Sequence, residues 1–358
     1  MKKFLGLSLM ATMFVIGGVG TASAASWRVN SNTAMGADFA DVNAAMSDER
    51  VAAGDTLYLD PSTTISKEQT VTKQVTIVGP GYLHSGVAAA PAVFSKSVKI
   101  SAKGTKFEGC TFEATVYMGA DNITIERCYL KNKITYLNSS TICRNAVIHA
   151  NYFRGDYAYI GGLNNSNLGQ IFLGWVITNN IMYRTATSAA SYVITELGNA
   201  TIKNNVLIGS GSYGSGESDM VVYYIENSVM TNNIVINVKS ATNGWAYVNT
   251  ATGGNTIENN VFGRDSTSIF TNNTFLNTTD LSTVFVNTGE NELKFSLCEG
   301  SPAIGAGENG MDCGAFAGDA YVPSGLPLFY PYFTGVEIPA VTTDGKLNIK
   351  LNIKTQNE

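Results

Sequence analysis

Between Lys106 and Leu276 one short pattern of apolar and polar positions recurs eight times. Its clearest form is Ile177-Thr178-Asn179-Asn180-Ile181-Met182, repeated as Ile202–Leu207, Met230–Val235, Ile257–Phe262 and Phe270–Phe275. Looser copies are Phe107–Phe112, Ile125–Leu130 and Ile148–Phe153. The fourth position falls at 110, 128, 151, 180, 205, 233, 260 and 273, so the gaps are 18, 23, 29, 25, 28, 27 and 13. A fixed core with elastic spacers of this length predicts a solenoid. Each copy reads as a short strand, a two-residue bend and a second short strand. Asn tolerates the left-handed backbone that such a bend needs. No stretch in this region sustains the three-and-four apolar spacing of a helix, so the solenoid is expected to be made of parallel β-strands.

Stacking the turns about 4.8 Å apart would place each second Asn over the next. Their amides would then bond along the stack, sparing roughly 1–3 kcal/mol for each polar group otherwise buried alone. Cys110 and Cys128 occupy the same column in its first two turns. A small, weakly polar side chain can stand there, and a reduced pair is the preferred reading. The pattern resembles the secreted right-handed parallel β-helix proteins of the pectin-lyase-like superfamily. Ala53–Leu59 is similar to that group's first strand after an N-terminal cap. Gly300–Gly307 followed by Asp312–Phe316 is similar to the closing motif of many bacterial members. The resemblance implies an all-β, single-stranded right-handed parallel β-helix with an N-terminal capping helix and a C-terminal strand tail. It says little about chemistry, because the fold hosts lyases, hydrolases, esterases and proteins without catalysis.

The flanks are expected to differ from the repeats. Residues 1–24 read as a signal peptide: Lys2 and Lys3, an apolar run from Phe4 to Val19, then the small-residue site Ala22-Ser23-Ala24. Export to the periplasm, cell surface or medium follows from that reading. No later apolar stretch approaches the ~18 residues of a membrane span. Residues 25–318 are assigned to the β-helix and 319–358 to a tail that packs on it or caps it. Ser26 to Asn30 reads as a first strand. Asp38 is the expected cap of a helix through Phe39, Val42, Ala45 and Met46. Near the end, Lys346 to Lys354 alternates strictly, which predicts a strand. Thr343-Asp344-Gly345 suggests a hairpin back to Val336–Val341.

Charge narrows the partners. Without residues 1–24 the basic count falls from 23 to 21 against 28 acids, a balance of −7. Nucleic acid calls for a basic face and is not expected. Only 14% of residues are charged, which suits sugars or a structural role better than steering of charged ligands. The chain reads as a monomer. Five cysteines lie beyond residue 24 and match no zinc spacing. Whether Cys298 and Cys313, which flank the closing motif, are bridged stays open.

A second column precedes the Asn phrase: Tyr117, Tyr136, Phe172, Tyr192, Tyr224 and Tyr247, each followed by an aliphatic residue. If the aliphatics point inward, the rings form an external stripe suited to stacking on sugars. The opposite parity would make them an internal stack. Long inserts rim this strand at Gly155–Gln170, carrying Tyr157 and Tyr159, and at Gly209–Asp219. Glu196 and Glu226 follow the column in adjacent turns and suggest paired carboxylates, with calcium as a cation they could hold between them. Arg154 and Arg184 are the candidate cations for β-elimination, with Lys131, Lys133 and Lys239 also in turns or loops. The catalytic set is incomplete, and His84 and His149 belong to no triad. The leading expectation is an exported polysaccharide-binding protein that requires no cofactor. A polysaccharide lyase or glycoside hydrolase, and a purely structural solenoid, are the alternatives.

Overall fold

The computed structural model describes residues 24–82, 91–157, 159–161, 172–187, 192–210, 220–239, 253–264, 270, 272–289, 292–318, 321–325, 332–337, 346 and 349–354. The expected leader, Tyr247 and the hairpin turn at Thr343–Gly345 lie outside these residues. The described chain is a parallel β-helix built from three sheets. The first sheet has ten strands, from Ser26–Val29 to Thr256–Glu258. The second also has ten, from Thr64–Ile65 to Thr274–Phe275. The third is in two four-stranded blocks, Gln69–Val71 to Ile134–Tyr136 and Cys143–Arg144 to Val222–Glu226. Bridges from Ile134 to Ile160 and from Ile160 to Ile194 join them.

The repeated phrase is the corner between the first and second sheets. Its third residue is left-handed in the first seven copies: Gly109, Arg127, Ala150, Asn179, Asn204, Asn232 and Asn259 have φ between 50 and 63°. Asn is the commonest choice because it reaches this region at little cost. The fourth residue points inward. Asn205 Oδ1 accepts from the backbone N–H of Asn180 at 2.9 Å and from Asn180 Nδ2 at 3.0 Å. Asn233, Asn260 and Asn273 repeat the arrangement. The ladder continues into the cysteines, as the backbone N–H of Cys128 donates to Asn151 Oδ1 and that of Cys110 to Cys128 Sγ. All five cysteines are free thiols, so Cys298 and Cys313 are not bridged. Inside, Ile125, Ile148, Ile177 and Ile202 stack in register through successive turns and are fully buried.

The N-terminal helix exists, with a different cap. It spans Val42–Ser47, and Asp41 accepts from the N–H of Ala44. Asp38 instead accepts the backbone N–H of Arg28, bracing the first strand. Phe39 precedes the helix and pairs with Val29. The buried face of the helix is Val42, Ala45 and Met46.

The C-terminal quarter departs further from expectation. The last solenoid strand is Thr274–Phe275, well short of residue 318. The chain then turns back and runs along the outside of the second sheet as a strap. Gly314 N–H donates to Asn232 O, and Asn179 Nδ2 donates to the carbonyls of Ala315 and Ala317 at 3.0 and 2.7 Å. Farther on, the Tyr321 and Tyr82 hydroxyls bond at 2.7 Å, beside the early turns. The strap covers an outward apolar row, Tyr152, Ile181, Val206, Ile234 and Val261, whose members pair in register. A sheet apolar on both faces needs such a cover. The motif expected to close the end of the solenoid therefore closes its flank. Beyond it, Tyr332–Glu337 and Lys350–Lys354 pair antiparallel, so the expected hairpin forms with a register starting earlier than Val336.

Candidate functional site

The third sheet does not carry a single aromatic stripe. Tyr117 lies level with Lys99 and Thr135 in an outward row, whereas Tyr136 lies level with Met118 and Ile100 in the inward one. Phe172 is fully buried, level with Cys143 and Leu197. Tyr159, expected on a loop, is only 1% exposed, whereas Tyr157 is 59% exposed. The spacers that look alike in sequence differ in length, and each insertion shifts which residue meets its neighbour. A one-residue shift reverses the face.

What forms instead is a cluster at the corner between the second and third sheets. Tyr159 is its centre. The Arg184 guanidinium sits 4.9 Å from its ring centroid and the Lys133 ammonium 5.9 Å. Burial raises the Tyr159 phenol above its usual pKa; Arg184 pulls it down, and Glu196, Tyr136 and Tyr157 push it further up. Arg184 is itself buried, and desolvation lowers its pKa. Its Nε donates to Asp156 O and its Nη1 to Tyr192 O, each at 3.0 Å. One side chain thus ties the start of the Gly155–Gln170 insert to Tyr192, just before the strand Ile194–Gly198. On the next turns Tyr192 stacks on Tyr223 with centroids 4.9 Å apart, and Tyr223 meets Tyr224 at 3.9 Å.

Two residues here are held in an uncommon backbone state. Glu196 has φ 62° and Tyr224 φ 49°, both in mid-strand. The flanking pairs Thr195–Tyr223 and Leu197–Ile225 stay in register, so the two lie level with each other. Left-handed geometry costs roughly 1–2 kcal/mol for such residues. Paired strain of this kind is a pointer to function. No sequence signal announced it, because neither residue is Gly or Asn.

The paired-carboxylate expectation is changed by the same register. Glu226 lies level with Gly198, two positions beyond the rung that Glu196 shares with Tyr224. The two candidate arginines also separate. Arg154 lies level with Tyr183, in the outward row covered by the strap, and acts on the Tyr152 phenol. Arg184 has the opposite parity and reaches the Tyr159 corner. Lys131 pairs with Glu113 at 2.8 Å. Lys133, a candidate cation expected in a turn or loop, belongs to the cluster. Among the described residues no three His, Cys, Asp or Glu side chains are placed to hold a metal ion. Among them, too, no helix is long and apolar enough to cross a membrane.

No protein-family model and no curated protein matches the chain. Among solved structures it is similar to one titled "Crystal structure of pectate lyase Pel9A", at 12% identity and a TM-score of 0.44, over 83% of this chain and 97% of that one. The parallel β-helix itself is established by the strand pairing described above, in keeping with the architecture the sequence resemblance implied.

Proposed function

We propose that the protein binds a polysaccharide at the outer corner of the third sheet, around Glu196, Tyr224 and the tyrosines beside them. The observation that carries this reading is the level pair of left-handed residues, Glu196 and Tyr224, within a group of tyrosine rings. Tyrosine offers a flat apolar face and a hydroxyl tip, which suits the mixed surface of a sugar ring. Half-buried Tyr192 and Tyr224 are the stacking platform, backed by the buried Tyr223 ring, and Tyr157 is the exposed ring at the rim. Arg184 holds the backbones of Asp156 and Tyr192 so that the platform is set before ligand arrives. The leader-like residues 1–24 support export, and the protein acts as a monomer outside the cytoplasm in this reading.

A catalytic role is the second reading, favoured by one observation: two cations, Lys133 and Arg184, flank the Tyr159 ring near Glu196. β-Elimination needs a base and a cation, and these are the residues that would supply them. One experiment separates the readings. Full-length processed protein is run through native gels containing each of a panel of polysaccharides, with and without calcium. The same mixtures are followed for unsaturated product and for new reducing ends. Retardation that Tyr224→Ala abolishes, without product, supports binding. Product formation lost in Glu196→Gln or Lys133→Ala replaces the binding reading with the catalytic one. No retardation and no product refutes both and leaves a structural solenoid.

A further inference from the structure

The far end of the strap is fastened around a carboxyl group that the proposed site does not use. Glu292 is completely buried. One of its oxygens accepts the backbone N–H of Ser324. The other is buried and makes no hydrogen bond, although the Tyr82 and Tyr321 hydroxyls lie in its field. Those hydroxyls bond to each other, and the Tyr82 N–H donates to Ser324 O at 2.8 Å. Gly325 is left-handed at φ 62°, and a Cβ there would come 2.2 Å from Arg127 O and 2.3 Å from the Tyr82 ring. The strap end is therefore seated on the early turns by direct backbone contact as well as by side chains.

We infer that the strap is held by a latch in which Glu292 sits as a neutral carboxyl among tyrosines, so that the strap is tightest in mild acid and loosens as pH rises. An isolated buried carboxylate is far costlier than a carboxylic acid. The groups facing it compensate only in part. Tyr82 comes from the early turns, Tyr321 and Ser324 from the strap end, and Tyr152 from the second sheet with Tyr129 stacked on it. Of the nearby cations, Arg154 acts on the Tyr152 phenol, and Lys294 lies over the rings of Tyr183 and Phe295 at 5.6 and 5.1 Å. Burial accordingly raises the Glu292 pKa, with the Ser324 N–H, its own backbone N–H and the Tyr82 hydroxyl opposing it. For a carboxyl raised in the docked state, docking is strongest below the undocked pKa of about 4.3. It weakens with rising pH until the docked pKa is passed. Release would uncover the apolar row of Ile181, Val206 and Ile234.

Hydrogen exchange by mass spectrometry on the whole protein tests the latch. After correction for intrinsic exchange, opening of the strap peptides around residues 292–318 is expected to rise with pH by up to about tenfold per unit between the two pKa values. Peptides of the solenoid interior around Ile177 should not follow. Glu292→Gln keeps the neutral shape and should flatten the profile. Tyr321→Phe removes one hydroxyl and should open the strap more at every pH while keeping the slope. A pH-independent strap in the native protein, or identical slopes in native and Glu292→Gln protein, overturns the inference. Should Glu292→Gln fail to fold, loss of the slope in Tyr321→Phe does the same.

Discussion

The two asparagines of each repeat do different work, and mutating neighbours in one repeat separates them. Asn205 is the ladder residue. Its Oδ1 accepts two bonds from Asn180, and its Nδ2 donates to Ile177 O, Lys203 O and Asn233 Oδ1 at 2.8, 2.9 and 2.9 Å. Asn205→Ala leaves the buried N–H of Asn180 without its acceptor and takes the amide donor from two carbonyls. Lys203 O keeps the bond from the Asn179 N–H, so at roughly 1–3 kcal/mol for each of the two groups left unmet the expected loss is about 2–6 kcal/mol. That is a large share of the ~5–15 kcal/mol that typically separates folded from unfolded. Asn204 is left-handed at φ 56°, and its buried Oδ1 makes no hydrogen bond. Glycine reaches that φ freely, so Asn204→Gly is expected to change stability by less than ~1 kcal/mol. Urea unfolding followed by far-ultraviolet circular dichroism measures both. Equal losses for the two variants, or less than ~1 kcal/mol for Asn205→Ala, would refute the ladder as the structural spine.

Three further outcomes are expected. Asp55 is desolvated, but hydrogen bonds from Trp27 Nε1, Ala52 N–H and Ala25 N–H outweigh this and hold its pKa below the usual value. Its contribution is present above about pH 4 and fades as pH falls through the lowered pKa, so Trp27 fluorescence should report loosening of the first coil in acid, a change absent from Asp55→Asn. Burial pushes the Cys143 thiol up to about 11, the Cys313 thiol up to about 12 and the Cys110 thiol higher than usual. Alkylation of native protein near neutral pH should therefore label half-buried Cys298 first, as peptide mapping would show. Arg184→Ala should cost about 2 kcal/mol through the carbonyls of Asp156 and Tyr192, and should weaken glycan retardation more than Arg154→Ala does.

Much of the architecture was legible in the chain. The recurring Asn phrase determined the turn spacing, the left-handed corner, the inward ladder and its continuation through Cys128 and Cys110. These follow from local chemistry: an amide of fixed length above its copy, at a bend few other residues tolerate. The amphipathic hairpin was readable for the same reason. The strap and the site were decided only by tertiary structure. Nothing in Gly300–Phe316 tells a cap from a flank cover, because that depends on the second sheet being apolar outside as well as inside. The order of rings along the chain likewise did not show which of them meet. Spacers of unequal length set the register, so Phe172 went inward, Arg154 and Arg184 turned to opposite faces, and Glu196 came level with Tyr224 instead of Glu226. A pattern repeated in the sequence survives such insertions because each turn rebuilds it. A site assembled from several turns does not, because its geometry is the sum of their offsets.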